Sequence, residues 1–197
     1  SAENGNRVIS DCAGVEVEIP EKIERVVCTS ASAVPFLLGM GVEDTIVGAP
    51  GATLGQSWAS VFYEGFKEEA GKVALFGKNP NAEELIAAEV DLVILKDASY
   101  AEELRKQGIP ACGFKYTNKE ELYAAVDMLG EVFGDDAKAY AAKWENKLDS
   151  TIQTIADDLK DLPEDQKCNV YYVAELDTLS KKIILAGLQN IGIINQG

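Results

Sequence analysis

The fold predicted for this chain depends most on residues 91–95, which have the sequence Asp-Leu-Val-Ile-Leu. Four consecutive apolar residues without alternation indicate a strand that is buried on both faces. Residues 25–29, Arg-Val-Val-Cys-Thr, predict a second strand of the same kind. Strands buried on both faces are typical of a parallel sheet that helices cover on each side. The sequence therefore predicts an α/β fold around a central, mostly parallel sheet.

Further elements follow these two strands in alternation. The apolar patterns and the Gly and Pro signals predict more strands at 45–48 and 109–114, and helices at 31–40, 82–89, 99–107 and 119–133. The stretch from 50 to 81 is long for a connection, and long connections in compact domains tend to be functional.

Residues 7–20 predict an N-terminal β-hairpin ahead of this sheet. In residues 15–19, Val-Glu-Val-Glu-Ile, apolar and acidic side chains alternate, which is the period of a half-buried strand. Ala13 and Gly14 supply the turn.

Residues 135–159 carry the strongest helical pattern of the chain. Apolar side chains recur there at steps of three and four residues, from Ala137 to Leu159. Such a helix is roughly 35–40 Å long, which suits a spine between two bodies. A new strand is predicted at 167–174. We therefore expect an N-terminal lobe at 1–134, a spine helix at 135–162 and the beginning of a second lobe at 163–197.

Composition and charge exclude several classes of function. The formal net charge of -15 argues against a nucleic-acid partner or an anionic membrane surface. Histidine is absent, which removes the Ser-His and Cys-His nucleophile pairs and the commonest transition-metal ligand. This counts against a catalytic site and a transition-metal site, although a Glu or Asp could still act as an acid/base group and a carboxylate-tyrosine metal site stays open. No apolar run approaches the roughly 20 residues that span a bilayer.

The four cysteines show no metal-ligand spacing. Cys28 and Cys112 lie in apolar strand segments and are interpreted as buried thiols. Disulfides stay open as an alternative, because the sequence cannot assign pairings.

Three lysines lie near the predicted strand ends. A parallel sheet places its ligand crevice at the carboxyl ends of its strands, and Lys78, Lys96 and Lys115 lie at or after such ends. A ring of cations there suits an anionic ligand. The alternative is that these lysines are scattered and only solvate the surface.

Hydroxyl-bearing residues are further candidates for the crevice. Ser30 and Ser32 precede a predicted helix, where backbone N–H groups can hold an anion, although an ordinary N-cap is the favoured interpretation. Tyr100 and Tyr116 could donate hydrogen bonds to a ligand or ligate iron.

Aromatic side chains in the long connection form the last candidate group. Trp58, Phe62 and Tyr63 could offer flat faces to a porphyrin, corrin or catecholate ligand. They could equally form the core of a helix within that connection.

The order of several motifs resembles one family. Residues 11–20, Asp-Cys-Ala-Gly-Val-Glu-Val-Glu-Ile-Pro, precede Arg25-Val26-Val27. Downstream follow residues 81–86, Asn-Ala-Glu-Glu-Leu-Ile, residues 90–93, Val-Asp-Leu-Val, and residues 185–191, Leu-Ala-Gly-Leu-Gln-Asn-Ile. This succession resembles the class III solute-binding proteins, which deliver siderophores, haem, cobalamin or metal ions to ABC importers. Val90 departs from the family pattern, which has proline there.

The resemblance implies two Rossmann-like lobes joined by a long helix, with a second lobe that is incomplete in this chain. It implies an extracytoplasmic receptor without cofactor or enzymatic activity, whose partners are a small-molecule chelate and the ABC permease subunits. Membrane contact is expected only through a lipid anchor that this chain does not contain. Alternatives are a stand-alone single-lobe interaction module and a chelatase-like enzyme.

The resemblance also implies a role for Glu83. In the family a glutamate at this motif position docks an arginine of the permease, and a bidentate arginine contact would add specificity. The alternative is a first-turn glutamate that only stabilises its helix. The neighbouring Glu84 is expected to belong to a solvated face.

Overall fold

The computed structural model of the chain describes residues 5–51, 72–166, 168–177 and 182–191. The strands in these ranges are β1 (Asn6–Ser10), β2 (Glu16–Pro20), β3 (Val26–Cys28), β4 (Ile46–Ala49), β5 (Ala74–Leu75), β6 (Leu92–Leu95), β7 (Ala111–Gly113), β8 (Cys168–Asp177) and β9 (Lys182–Ile191). The α-helices are α1 (Val34–Gly39), α2 (Ala82–Ala87), α3 (Ala98–Lys106), α4 (Lys119–Phe133) and α5 (Asp135–Leu159), with short 3-10 turns at Glu43–Thr45 and Glu164–Gln166.

The chain divides into two compact units, Ser1–Glu145 and Asn146–Gly197. In the first unit, β3 to β7 form a sheet in the order β5-β4-β3-β6-β7, and every neighbouring pair is parallel. This confirms the predicted α/β fold with a central parallel sheet. None of the helices within the described ranges is both long and apolar enough to cross a membrane.

Strand β6 shows why the sheet needs helices on both faces. Its four residues are each at most 1% exposed. Leu92 and Ile94 pack in one apolar cluster with residues of α1, α4 and α5. Val93 and Leu95 pack in a second cluster with residues of α2 and α3. Because alternate side chains of a strand point to opposite faces, the uninterrupted apolar run supplies both clusters.

Asp91 fixes the start of β3 beside the start of β6. Its carboxylate accepts the backbone N–H groups of Glu24 and Arg25, each at 2.8 Å. The Arg25 guanidinium in turn donates to the Ala88 carbonyl at 3.0 and 2.9 Å. These contacts hold two neighbouring strands in register where they begin.

The N-terminal hairpin is present as predicted. Strands β1 and β2 pair antiparallel, and Val17 and Ile19 are buried while the two glutamates of β2 are exposed. Gly14 adopts a φ of +76° in the turn, a left-handed conformation that favours glycine. Arg7 attaches the hairpin to α4 by donating to the carbonyls of Glu131 and Val132 near the end of that helix.

An ion pair lies beside β7, one of the two edge strands of the sheet. The Asp11 carboxylate is 3.5 Å from the Arg105 guanidinium, and their side chains are 1% and 18% exposed. Arg105 also donates to the Ala111 carbonyl at 2.7 Å, and the Gly113 backbone N–H donates to Asp11 at 3.5 Å. The Asp11 and Arg105 side chains thus form hydrogen bonds with backbone groups of β7.

Helices α4 and α5 have the predicted bounds. The first part of α5 packs on the first unit: Ala137 and Ala141 are buried, and the Trp144 ring meets Phe36 edge-on at a centroid distance of 4.9 Å. The ends of the other predicted elements shift by one to three residues.

The second unit contains the strands β8 and β9, which pair antiparallel from Cys168 opposite Ile191 to Asp177 opposite Lys182. The sequence patterns predict β8, at 167–174, but not β9. They also miss the two-residue strand β5 at the edge of the central sheet.

Candidate functional site

A cavity of about 810 Å³ opens at the carboxyl ends of the central strands. Its described lining comes from the segments that follow β3, β4, β5, β6 and β7: Thr29, Ser30, Ala31, Ser32, Pro50, Lys78, Asn79, Lys96, Asp97, Ala98, Ser99 and Lys115. All five strands are parallel, so segments that are remote in sequence converge at this one edge.

The structure brings the three lysines singled out from the sequence into this cavity. Lys96 directly follows β6, Lys115 lies two residues after β7, and Lys78 lies three residues after β5. All three are exposed, and none forms an ion pair with another described residue. The described lining therefore presents three positive charges that no ion pair within the described residues holds, in a chain of net charge -15.

Asp97 is the acidic residue of the described lining, and its carboxylate already accepts hydrogen bonds from its own helix. It is the N-cap of α3, where its carboxylate accepts the backbone N–H groups of Ser99 at 3.0 Å and Tyr100 at 3.2 Å. A carboxylate at a helix start is stabilised by the N–H groups and the helix dipole. The sequence analysis did not single out Asp97, although an Asp before a helical pattern is an N-cap signal.

Ser30 and Ser32 also line the cavity, but the N-cap interpretation is wrong. Helix α1 begins at Val34, and its N-cap is Ala33, which makes no side-chain cap. The Ser30 hydroxyl instead lies 3.1 Å from the Ser32 hydroxyl, and Ser30 is only 2% exposed. The helix starts later than the sequence predicts, so both serines belong to the segment after β3.

The two tyrosines are placed elsewhere among the described residues. The Tyr100 hydroxyl donates to the Pro80 carbonyl at 2.7 Å, and its ring packs against the cluster under α2 and α3. Tyr116 is exposed, and its ring lies edge-on to Phe114 at 6.0 Å. Neither is part of the described lining.

The aromatic candidates Trp58, Phe62 and Tyr63 lie outside the described residues. Thr29, Asn79 and Ser99 are lining residues that the sequence analysis did not name. Only their position in the sequence could have indicated them, because each lies within a few residues of the end of a strand.

Glu83 and Glu84 lie next to each other at the start of α2 but differ in their contacts. Glu84 forms a capping box: its backbone N–H donates to the Asn81 side chain at 2.8 Å, and its carboxylate accepts the Asn81 backbone N–H at 3.3 Å. Glu84 is exposed, as expected for a residue on a solvated face, and it also caps its helix. Glu83 is exposed, and its side chain has no hydrogen bond or ion pair to another described residue.

The described cysteines Cys12, Cys28 and Cys112 are free thiols. Cys28 and Cys112 are buried as predicted, and burial raises the pKa of each to about 12. Cys12 is half-buried and accepts the Lys115 backbone N–H at 3.4 Å. Within the ranges that the structure covers, no group of three or more His, Cys, Asp or Glu side chains is arranged to hold a metal ion.

Comparison with known families gives one match, to the model described as periplasmic binding protein, over residues 26–190. A search of curated proteins finds no match.

Several solved structures share the fold. A periplasmic solute-binding protein from Veillonella parvula aligns with a TM-score of 0.67 at 21% identity, covering 81% of this chain and 50% of that one. A molybdate periplasmic binding protein from Haemophilus influenzae aligns with a TM-score of 0.66 at 18% identity, covering 83% and 56%. A petrobactin-binding protein from Bacillus subtilis aligns with a TM-score of 0.65 at 16% identity, covering 85% and 61%. The chain thus spans 50% to 61% of the length of these proteins.

Proposed function

The chain belongs to the periplasmic binding protein family, and from this premise we propose that it is the non-catalytic substrate-binding component of an ABC importer. The family places the chain on the extracytoplasmic side of the membrane. Its ligand in this proposal is an iron-siderophore, haem, cobalamin or similar chelate, and its protein partners are the permease subunits.

One observation carries the proposal: Lys78, Lys96 and Lys115 converge on one cavity, and none has an ion pair within the described residues. Clustering like charges costs free energy unless a counter-charge binds. The serine and threonine hydroxyls of the same lining offer hydrogen bonds to oxygen atoms. The cavity therefore favours an anionic ligand over a neutral one.

We further propose that residues 1–134 form the ligand-binding lobe, 135–162 the connecting helix and 163–197 the beginning of a second lobe. The 25-residue helix Asp135–Leu159, which follows the parallel sheet and precedes the separate β8-β9 pair, supports this division. Trp58, Tyr63, Tyr100 and Tyr116 stay in the proposal as further ligand contacts.

The charge of the ligand is tested with two ferric complexes of the same metal. Three catecholate groups whose carboxyls are joined to one backbone as amides give a trianionic ferric complex, whereas a trihydroxamate gives a neutral one. We expect the chain to bind the trianionic complex more tightly in a fluorescence titration. Replacing Lys78, Lys96 and Lys115 together by Gln should lower that affinity about 10- to 100-fold, which corresponds to about 0.5–0.9 kcal/mol for each of the three charges and lies within the range of exposed ion pairs.

A matched control separates position from net charge. Lys22, Lys106 and Lys138 are exposed, are absent from the described lining and form only exposed ion pairs. Their triple replacement by Gln makes the same change in net charge and should leave the affinity within about threefold, because exposed pairs contribute little. Equal losses in both triple variants would contradict a lysine-lined binding site.

Permease docking is proposed for Glu83 and is tested separately from ligand binding. Its exposure and its lack of partners among the described residues support the proposal, because the carboxylate is available to an arginine. Glu83→Arg should leave the affinity for the trianionic complex unchanged and abolish its uptake in cells that express the chain with its importer. Like charges would then face each other across the contact.

Glu103 on α3 provides the control, because it is also exposed and has no side-chain partner among the described residues. Glu103→Arg makes the same charge change away from α2 and should leave uptake intact. Normal uptake by the Glu83 variant would rule out docking at that position.

A further inference from the structure

Thr29 is a lining residue with an unusual environment. It is the first residue after β3, and its backbone N–H donates to the Ile94 carbonyl at 2.8 Å, which fixes its position. The residue is only 9% exposed. Within the part of the chain that the structure describes, its hydroxyl has no hydrogen-bond partner.

Although the residue is largely buried, its hydroxyl oxygen is not among the fully buried polar atoms without a partner in the described residues, so it keeps access to the cavity that Thr29 lines. The neighbouring Ser30 and Ser32 hydroxyls lie within hydrogen-bond distance of each other. The Thr29 hydroxyl, by contrast, has its hydrogen-bonding capacity free for a ligand in the cavity. Valine has nearly the same shape as threonine, and no contact with the described residues requires a hydroxyl at position 29.

The place of Thr29 in the sheet indicates what its partner is. Strand β3 is the central strand in the order β5-β4-β3-β6-β7. Lys78 follows β5 on one side of it, and Lys96 and Lys115 follow β6 and β7 on the other. A ligand attracted by lysines on both sides of β3 is drawn over the end of the central strand, where the hydroxyl lies.

We propose that Thr29 is a specificity-determining residue whose hydroxyl donates a hydrogen bond to an anionic oxygen of the ligand. The inference rests on the proposed function and narrows it to ligands that present an accessible oxygen acceptor, such as a catecholate, a carboxylate or a compact oxyanion. The lysines supply charge without strict direction, whereas the hydroxyl demands an acceptor at one position. Thr29 thus separates ligands of equal charge by their shape.

The test removes the hydroxyl while keeping the shape of the side chain. The probes are the ferric complex of 2,3-dihydroxybenzoate and inorganic molybdate, and each is titrated into the full chain. Thr29→Val should lower the affinity for at least one probe about tenfold, which corresponds to one lost hydrogen bond. Thr29→Ser keeps the hydroxyl and should stay within about threefold of the wild type.

A second readout needs no ligand. Because the hydroxyl has no partner among the described residues to lose, Thr29→Val should leave the Tm of the free protein within about 2 °C of the wild type. Thr45→Val is the matched control, because the Thr45 hydroxyl donates to the Val42 carbonyl at 2.7 Å and Thr45 is outside the described lining. This control should lower the Tm and leave the affinity unchanged.

The outcomes separate this inference from the proposed function. If the wild type binds neither probe, the proposed function fails and the inference fails with it. If the wild type binds and Thr29→Val binds equally well, only the inference is overturned. Should the valine variant not fold, Thr29→Ser and Thr29→Ala replace it: tighter binding by the serine variant supports the inference, and equal binding overturns it.

Discussion

Two buried thiols make the stability of the protein sensitive to alkali. Cys28 on β3 and Cys112 on β7 are both 0% exposed. Burial raises the pKa of each thiol to about 12, and the negative charge of Asp11 adds to the effect at Cys112. The folded protein therefore keeps two protons that the unfolded chain releases at lower pH.

We predict that the free energy of unfolding falls as the pH rises from 9 towards 12. The unfolded thiols ionise near their ordinary pKa of 9.0, whereas the folded ones stay protonated up to about 12. Their contribution is therefore complete below pH 9 and is lost above it. Urea unfolding at pH 7, 9 and 10.5 measures the decline. The double variant Cys28→Ala, Cys112→Ala should decline less steeply than the wild type, and an equal slope would exclude the thiols as the cause.

At the same scale, residues differ in how far a sequence reveals them. Lys96 and Lys115 were predictable because they follow strands whose apolar runs are unmistakable. The role proposed for Thr29 was not predictable. It depends on a hydroxyl without a hydrogen-bond partner among the described residues, and only the three-dimensional structure shows which groups surround that hydroxyl. Ser30 was misassigned because the start of α1 lies three residues later than the pattern suggests, and a capping role depends on that one position.

Among the elements, local signals explain which bounds were predictable. Helix α4 begins at an N-cap, where Asn118 accepts the Glu121 backbone N–H at 2.8 Å, and it ends at Gly134 with a φ of +94°. Strand β5 has no such signal: its two residues are exposed and are defined by their pairing with β4. Strand β9 likewise depends on its pairing with β8. Elements that depend on a distant partner cannot be read from local periodicity.

The contact of α1 with α5 gives a prediction at the scale of elements. A Cβ at Gly39 would overlap the Tyr140 side chain, and its hydroxyl would be the atom most affected. Gly39→Ala should therefore lower the free energy of unfolding by about 1–3 kcal/mol, because the ring must move out of its place. Urea unfolding measures the loss.

Two further variants test the cause. Gly5→Ala places its Cβ in open space and should have almost no effect. Tyr140→Phe removes the most affected atom and should recover part of the loss when it is combined with Gly39→Ala. A Gly39→Ala variant as stable as the wild type would contradict the close packing of these helices.

At the scale of the molecule, the described lining of the cavity differs in charge from the chain as a whole. The chain carries a net charge of -15, and yet the described lining of the cavity holds three lysines and one helix-capping aspartate. At physiological ionic strength the Debye length is about 8 Å, so remote carboxylates are screened while the lysines act at contact. An acidic protein can thus hold an anionic ligand.

The Asp11–Arg105 ion pair beside β7 affects how this edge of the sheet can interact with other protein chains. The outer strand of an open sheet is a template on which other chains can add strands, and natural proteins protect such edges. Here Arg105 occupies the Ala111 carbonyl and Asp11 accepts the Gly113 N–H. The chain's own side chains therefore take the positions that an incoming strand would need. Resistance to aggregation at this edge depends on two residues 94 positions apart in sequence, so it is acquired only when the hairpin and α3 have both reached their native places.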